Sequence, residues 1–204
     1  MGRASDAKER LMDAVQALIW EGSYGSTTID QICEKAGVKK GSFYYFFESK
    51  CDLAVAALDR EWETFKPQLD AVFSPAHPPL ERLRKLCQFM YEEQAEMKAK
   101  CGHVLGCPLC TLGSEVSTQE ERLRAKVQEL LGYWPKYLET TIRDAHAEGS
   151  LNSPDPAKAA QMVFVYLEGL LAQARIQNSL EILKPAESGV FALLGVTARE
   201  KVAA

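Results

Sequence analysis

The chain has 204 residues, of which 47% are hydrophobic and 25% charged, a composition typical of a globular protein with a sizeable core. The formal net charge of −4 gives no support for a general electrostatic affinity for nucleic acid, so any DNA contact must come from local charge placement. The first thirty residues are charged and amphipathic, unlike a signal peptide, and no apolar run approaches the roughly 18 residues of a membrane span. We therefore expect a cytoplasmic protein with no membrane partner, whose six cysteines do not form structural disulfides.

Three short helices are predicted at the start of the chain. Residues 5–21 carry apolar side chains at helical spacing. Thr28 and Gln31 form a capping box that begins a second helix, and Gly37 ends that helix as a left-handed stop. A third helix is expected from about residue 39 to residue 47, after a tight turn. Two short helices joined by such a turn predict a helix-turn-helix.

The third helix carries side chains that suit a phosphate-bearing partner. Lys39 and Lys40 stand at its beginning, where the helix dipole already supplies partial positive charge, and Gly41 costs about 1 kcal/mol relative to alanine. A bound anion would offset the unfavourable lysine charges and the glycine at the beginning of this helix, and nearby hydroxyl groups could donate hydrogen bonds to phosphates. The alternative is a solvated basic turn in an ordinary helical domain. The candidate DNA contacts are Thr27, Thr28, Lys39, Lys40, Gly41, Ser42, Tyr44, Tyr45 and Lys50.

This segment resembles the DNA-binding motif of the tetracycline-repressor (TetR) family of bacterial transcriptional regulators. The residues that carry the resemblance are Thr28, Ala36-Gly37-Val38, Lys40-Gly41, Phe43-Tyr44-Tyr45-Phe46-Phe47 and Ser49-Lys50. Three positions depart from the usual pattern: Lys39 replaces a capping serine or threonine, Tyr45-Phe46 a histidine-rich pair, and Cys51 an acidic residue. The first two departures bear on which operator sequence is bound.

The resemblance implies a repressor that binds a palindromic DNA operator as a homodimer and is released by a small-molecule effector. It implies a DNA-binding domain over residues 1–48, followed by a connector helix with an effector-binding and dimerisation domain over residues 49–204. No cofactor is expected. Because none of the three histidines stands in a recognisable acid–base or nucleophile arrangement, we expect no enzyme activity.

The rest of the chain also has helical periodicity, so we predict an all-α fold with a helix-turn-helix head followed by a helical bundle. The connector helix should kink or stop at Pro67. A second capping box, Thr118 with Glu121, should begin a helix that extends with bends to Gly149. Asp155, followed by a proline, should begin a further helix.

Residues 156–177 are apolar on more than one face, so this helix must be buried on several sides. Either it forms the centre of its domain, or one side packs on the core and another side meets a second subunit. The resemblance implies the second arrangement, because TetR regulators dimerise through their last two helices. The candidate interface residues are Ala160, Val163, Leu167, Leu170 and Leu171.

The resemblance further implies an effector pocket within the C-terminal helices. Aromatic side chains with polar tips suit a mostly apolar cavity, although aromatic residues at helical spacing more often belong to a core. The candidate pocket residues are Trp62, Phe65, Phe89, Met90, Tyr91, Trp134, Tyr137 and Tyr166.

Four potential soft ligands follow one another closely: Cys101, His103, Cys107 and Cys110. Pro108 favours a helix start, which puts Cys107 at the cap and Cys110 in the first turn, where a thiolate is stabilised. Three interpretations stay open: packing of a tight turn, a thiol or electrophile sensor, or a zinc or copper(I) site. The competing function is a helical module that senses metal or thiol stress without binding DNA. A thiol oxidoreductase would need a preceding strand, which the sequence does not predict.

Overall fold

The computed structural model describes the backbone of residues 2–196 and the side chains of residues 6–196. Within this range the chain forms ten α-helices and one short 3-10 helix, and it contains no strand. The helices are α1 (Gly2–Glu21), α2 (Ile29–Ala36), α3 (Lys40–Phe46), α4 (Lys50–Val72), α5 (Pro79–Cys101), α6 (Pro108–Val116), α7 (Glu121–Leu131), α8 (Trp134–Ala147), α9 (Pro156–Gln177) and α10 (Ala186–Leu193), with the 3-10 helix at Leu180–Leu183. The predicted all-α fold is confirmed. No helix in the described part of the chain is both long enough and apolar enough to cross a membrane.

The chain divides into two compact units, each made of two separate stretches of sequence. The first unit comprises the residues up to Gln68 together with Pro108–Leu131. The second comprises Leu69–Cys107 together with the residues from Gly132 onward. The functional division after residue 48 stays a prediction, because compactness does not test which residues bind DNA or an effector.

The first unit is built around two groups of buried side chains. α1, α2, α3 and α4 meet around Leu11, Ile32, Phe43 and Leu53, all of which are fully buried. The second group joins α4 to α6 and α7, and consists of Cys51, Ala54, Leu112, Val116, Leu123 and Val127. Because α4 contributes to both groups, burial of apolar surface links the three N-terminal helices to α6 and α7 within this unit.

At Pro67 one of the two predicted outcomes is excluded, and the capping box predicted at Thr118 is wrong. α4 does not stop at Pro67 but continues through it to Val72. Pro67 and Glu63, four residues earlier, are both exposed, so water can satisfy the carbonyl group that the proline leaves without a donor. Thr118 does not cap a helix, because residues 117–119 form the turn that closes α6, and α7 begins only at Glu121.

In the second unit α9 packs against α8 and α10, and α5 packs against the same two helices. The Asp155 carboxylate accepts a hydrogen bond from the Lys158 amide and caps α9, as predicted. α9 ends at Asn178, whose backbone is left-handed with φ 47°. A buried guanidinium joins α5 to α8, since Arg82 donates to Asp144 at 2.5 Å.

The two faces of α9 differ in their surroundings. Four of the five candidate interface residues are at most 8% exposed within the single chain: Ala160, Val163, Leu167 and Leu171. They therefore pack into the core of their own unit, which is the alternative that the sequence left open, and Leu170 is half-buried. The opposite face leaves apolar side chains exposed, among them Val165 at 59% and Ile176 at 75%.

Candidate nucleic-acid interface

α2 is fixed at both ends by the residues that the sequence predicted. The Thr28 hydroxyl accepts from the Gln31 amide at 3.2 Å, and the Gln31 side-chain oxygen accepts from the Thr28 amide at 2.8 Å. Gly37 ends the helix in the left-handed region, with φ 63° and ψ 38°. The capping box and the glycine stop are confirmed, and they give α2 a defined beginning and a sharp turn into α3.

α3 is anchored on one side and exposed on the other. Phe43 is fully buried and Phe47, directly after the helix, is 6% exposed, with the two ring centroids 6.1 Å apart. Tyr44 and Tyr45 are 55% and 78% exposed. A Cβ at Gly41 would meet no heavy atom of the described residues within 4 Å, so a partner can approach the backbone closely there.

Lys40 forms an ion pair with the preceding helix. Its Nζ lies 2.8 Å from Asp30 Oδ1, and both side chains are largely exposed. The hydrogen bond with Asp30 raises the pKa of Lys40, so the ammonium is charged throughout the neutral range. DNA would have to compete with Asp30 for this ammonium. No spacing in the sequence indicates that competition, although Asp30 and Lys40 stand at corresponding ends of two adjoining helices.

Two further candidate DNA contacts have partners inside the protein. Thr27 is buried, and its hydroxyl donates to the Ser23 carbonyl at 2.6 Å. The Lys50 Nζ donates to the carbonyl oxygens of Tyr24 at 2.6 Å and Thr27 at 2.7 Å. Burial lowers the pKa of Lys50, while its charge lies 4.1 Å from the centre of the Tyr24 ring. Direct DNA contact by Thr27 and Lys50 stays a prediction.

The candidate effector-pocket residues lie in different units, with Trp62 and Phe65 in the first and the other six in the second. Tyr137 has a structural role, because its hydroxyl donates to Asp70 at 2.5 Å and its ring stacks on Phe73 at 5.1 Å. Burial, assisted by Asp70, raises the pKa of Tyr137 to about 12. Phe89, Tyr91, Trp134 and Tyr166 are half-buried, whereas Met90 belongs to the core.

A small apolar cleft lies elsewhere, within the first unit. Side chains of α1, α4 and α6 line it, including Val15, Ile19, Ala57 and Leu112. None of the eight candidate pocket residues belongs to this lining. Its lining is almost entirely apolar, so it offers few groups that could orient a ligand.

The six cysteines fall into two sets by exposure. Cys33, Cys51 and Cys87 are buried, and burial raises the pKa of each thiol, that of Cys87 to about 12. Cys101, like His103, is exposed, whereas Cys107 and Cys110 are half-buried. The three buried cysteines therefore form little reactive thiolate, and any thiol chemistry is expected at Cys101, Cys107 and Cys110.

The loop before Cys107 is firmly attached within the second unit. The Gly106 amide donates to the Gln94 side chain at 2.7 Å, and the Gln94 amide returns a bond to the Gly106 carbonyl at 3.3 Å. Gly106 has φ 67°, and a Cβ there would lie 3.0 Å from the Leu171 carbonyl oxygen. Arg175 also donates to the Leu105 carbonyl at 2.6 Å. α6 then begins at Pro108, directly after Cys107, as predicted.

A capped helix-turn-helix with an exposed aromatic and basic face, followed by an all-helical region, defines a DNA-binding transcriptional regulator. Residues 11–57 match the family described as "Bacterial regulatory proteins, tetR family". Residues 79–189 match the family described as "Tetracyclin repressor-like, C-terminal domain". The chain belongs to the TetR family and is a DNA-binding repressor of that type.

Individual relatives agree with this assignment. The transcriptional regulator AcuR of Cereibacter sphaeroides is 30% identical over 85% of this chain and 78% of its own length. The crystal structure of Escherichia coli NemR in its reduced form has a TM-score of 0.80 at 25% identity, and covers 95% of this chain and 99% of that one. A regulatory protein TetR from Rhodobacter sphaeroides has a TM-score of 0.80 at 28% identity, covering 92% and 98%.

Proposed function

We propose that α3 enters the major groove of a palindromic operator and contacts it through an exposed surface, called the operator face below. This face consists of Lys39, Lys40, Gly41, Ser42, Tyr44 and Tyr45. The observation that carries the proposal is the contrast within α3: Phe43 is fully buried whereas the tyrosines beside it project into solvent. Thr27, Thr28 and Lys50 are kept as predicted neighbouring contacts, although their polar groups already have partners in the protein.

Operator selection from random DNA, followed by titration at several salt concentrations, tests this proposal. Lys40→Ala should weaken binding on every sequence and reduce the slope of log affinity against log salt by about one phosphate contact. Lys35→Ala is the matched control, because Lys35 is another exposed lysine of the same head and lies 3.9 Å from Glu21. An unchanged slope for Lys40→Ala would remove Lys40 from the operator face.

We infer that the repressor acts as a homodimer, and that the exposed side of α9 forms the contact between subunits. Met162, Val165 and Ile176 lie on this side, and Leu193 is exposed on α10. Exposed Gly169 and Ala172 lie among them and allow helices to approach closely. An exposed apolar patch of this kind marks an interaction surface, and a dimer would present two recognition helices to the two half-sites.

We further propose that a small-molecule effector binds within the C-terminal helical region and releases the operator. The match of residues 79–189 to a repressor C-terminal domain supports this. The proposal needs no cofactor and no enzyme activity, and the protein would act in the cytoplasm, where its operator lies. A compound library screened for both raised thermal stability and operator release provides the test. A compound that stabilises the protein without releasing DNA would not count as an effector.

A thiol-responsive repressor is a second candidate function. The solved NemR structure is described as a reduced form, and in this chain Cys101, Cys107 and Cys110 are the less buried thiols. Oxidants or electrophiles should then weaken operator binding of the parent. Replacing both Cys107 and Cys110 by serine should abolish that response and leave basal affinity intact, whereas Cys101→Ser serves as the comparison. If oxidants or electrophiles still weaken operator binding of the double-serine protein as in the parent, Cys107 and Cys110 have only a packing role.

A further inference from the structure

The turn between α1 and α2, residues 22–28, is held by a carboxylate from a distant part of the sequence. Glu115 of α6 accepts from the Ser23 hydroxyl at 2.6 Å, from the Tyr24 amide at 2.9 Å and from the Gly25 amide at 2.6 Å. Glu115 follows these residues by 90 to 92 positions, yet both belong to the first unit. One side chain thus satisfies three donors of a short connection.

A group of opposite charge holds two carbonyl groups of the same turn. The Lys50 ammonium at the start of α4 donates to the carbonyl oxygens of Tyr24 and Thr27. The carboxylate therefore takes three donors of the turn, and the ammonium takes two of its carbonyl acceptors. The turn contains no charged residue, so part of its polar backbone is matched by charges from two other helices. We call Glu115 and Lys50 together the turn clamp.

Close approach of the carboxylate depends on a glycine. A Cβ at position 25 would lie 3.0 Å from Glu115 Oε1, so an alanine there would require the carboxylate to shift by a few tenths of an ångström. Gly25 does not have a left-handed backbone, and alanine would therefore be acceptable to the turn itself. This position offers a way to disturb the clamp without removing either charge.

The turn leads directly into the DNA-binding helices. Its last residue, Thr28, caps α2, and Asp30 in the first turn of α2 pairs with Lys40 of α3. A shift of the turn would move the beginning of α2, and with it α3, which packs against α2. Glu115 connects α6 to the α1–α2 turn through charge-assisted hydrogen bonds.

We propose that Glu115 is a positioning residue for operator binding: through the α1–α2 turn, it makes the affinity of the operator face depend on where α6 lies. This inference rests on the proposed operator contact of α3. It adds a residue to that function which contacts the turn rather than the DNA. Position 115 then belongs to the path by which any rearrangement of α6 reaches α2 and α3.

The test compares three variants with the parent full-length repressor on one selected operator. Glu115→Ala should raise the Kd about tenfold, and Glu115→Gln, which retains an acceptor oxygen, by less. Gly25→Ala should raise the Kd by less than Glu115→Ala, and the double variant should bind no more weakly than Glu115→Ala alone, because both changes act on the same contact. The salt dependence should stay unchanged, since no phosphate contact is lost.

Two measurements separate positioning from general stability. Hydrogen exchange at the Tyr24 and Gly25 amides should accelerate in the Glu115 and Gly25 variants, while the global unfolding midpoint of Gly25→Ala stays close to that of the parent. Glu121→Ala is the matched control, because it removes an exposed carboxylate paired with Arg124 in the same unit and should leave the Kd unchanged.

Two outcomes would overturn the proposal. Faster exchange at both amides with an unaltered Kd would reduce the clamp to a local stabilising contact. If Glu115→Ala fails to fold, Gly25→Ala decides: a folded protein with faster exchange at both amides and parental affinity again excludes a positioning role. If the parent binds no selected DNA, the proposed operator binding by α3 is rejected. This result differs from those that would reject the positioning role of Glu115.

Discussion

At the scale of single residues, the pair between Lys40 and Asp30 controls how much positive charge reaches DNA. The two side chains are exposed, so the pair contributes little stability, but it occupies an ammonium that a phosphate would need. We expect Asp30→Asn to strengthen operator binding about threefold, because it releases Lys40 and removes a negative charge near the backbone of DNA. Anisotropy titration measures the change. The same substitution in a Lys40→Ala background should give a smaller gain, and a loss of affinity in the single variant would contradict the argument.

Glu115 should also give the protein a pH dependence of its own. Burial, the largest effect, acts to raise its pKa, but hydrogen bonds from the turn and the charge of Lys50 outweigh burial and lower the pKa below 4.5. A carboxyl group with a lowered pKa contributes stability that is present above its unfolded pKa and is lost as the pH falls through the folded pKa. The midpoint of thermal unfolding should therefore fall more steeply for the parent than for Glu115→Gln when the pH is lowered from about 6 to about 3. Parallel declines would show that the clamp adds no pH-dependent stability.

Which residues the sequence could predict depends on how far away their partners lie. Thr28, Gln31 and Gly37 act on neighbours within one helical turn, so their spacing was sufficient to predict the capping box and the stop. The two carbonyl partners of Lys50 lie 23 and 26 residues before it and no periodicity indicates them, so the sequence predicts only its phosphate contact. Glu115 was not singled out, for the same reason.

At the scale of helices, α2 depends on its cap because it has only eight residues. A helix this short has little stability without tertiary packing and satisfied ends. We expect Thr28→Ala to lower the free energy of unfolding by about 1 kcal/mol, as measured by urea titration, because the Gln31 amide loses its acceptor. Thr28→Ser retains the acceptor and should lose less than half as much. Equal losses in the two variants would mean that the methyl group, rather than the cap, matters.

For the helices that follow, the sequence predicts that helices form but not always where they begin and end. α9 begins and ends where its cap and period place it, since both signals are local. A single bent helix was expected up to Gly149, whereas the structure has α7 and α8, separated at Gly132 and Tyr133. Pro135 lies in the first turn of α8, a position that tolerates proline because the amide there has no partner within the helix. The same residue is compatible with a bend or a new helix, and only packing decides between them.

At the scale of the whole molecule, the two faces of α9 differ in burial, which composition alone could not show. Leu167 and Val165 are both apolar and stand two positions apart, yet one is 4% exposed and the other 59%. Periodicity indicated a helix buried on several sides, but which side meets its own chain follows from the packing of α8 and α10. The candidate interface residues lie on the side that the subunit itself covers, whereas the opposite side of α9 is exposed.

This difference leads to opposite expectations for the same substitution at neighbouring positions. Leu167→Glu would bury a charge without a partner and should unfold the subunit, at a cost of several kcal/mol. Val165→Glu would put a charge on the exposed side and should leave the subunit folded, with a helical circular dichroism spectrum and a monomeric mass by light scattering. Because one recognition helix cannot read two half-sites, the Val165→Glu monomer should lose most of its operator affinity. A Val165→Glu protein that stays dimeric and binds the operator normally would show that subunits associate through another surface.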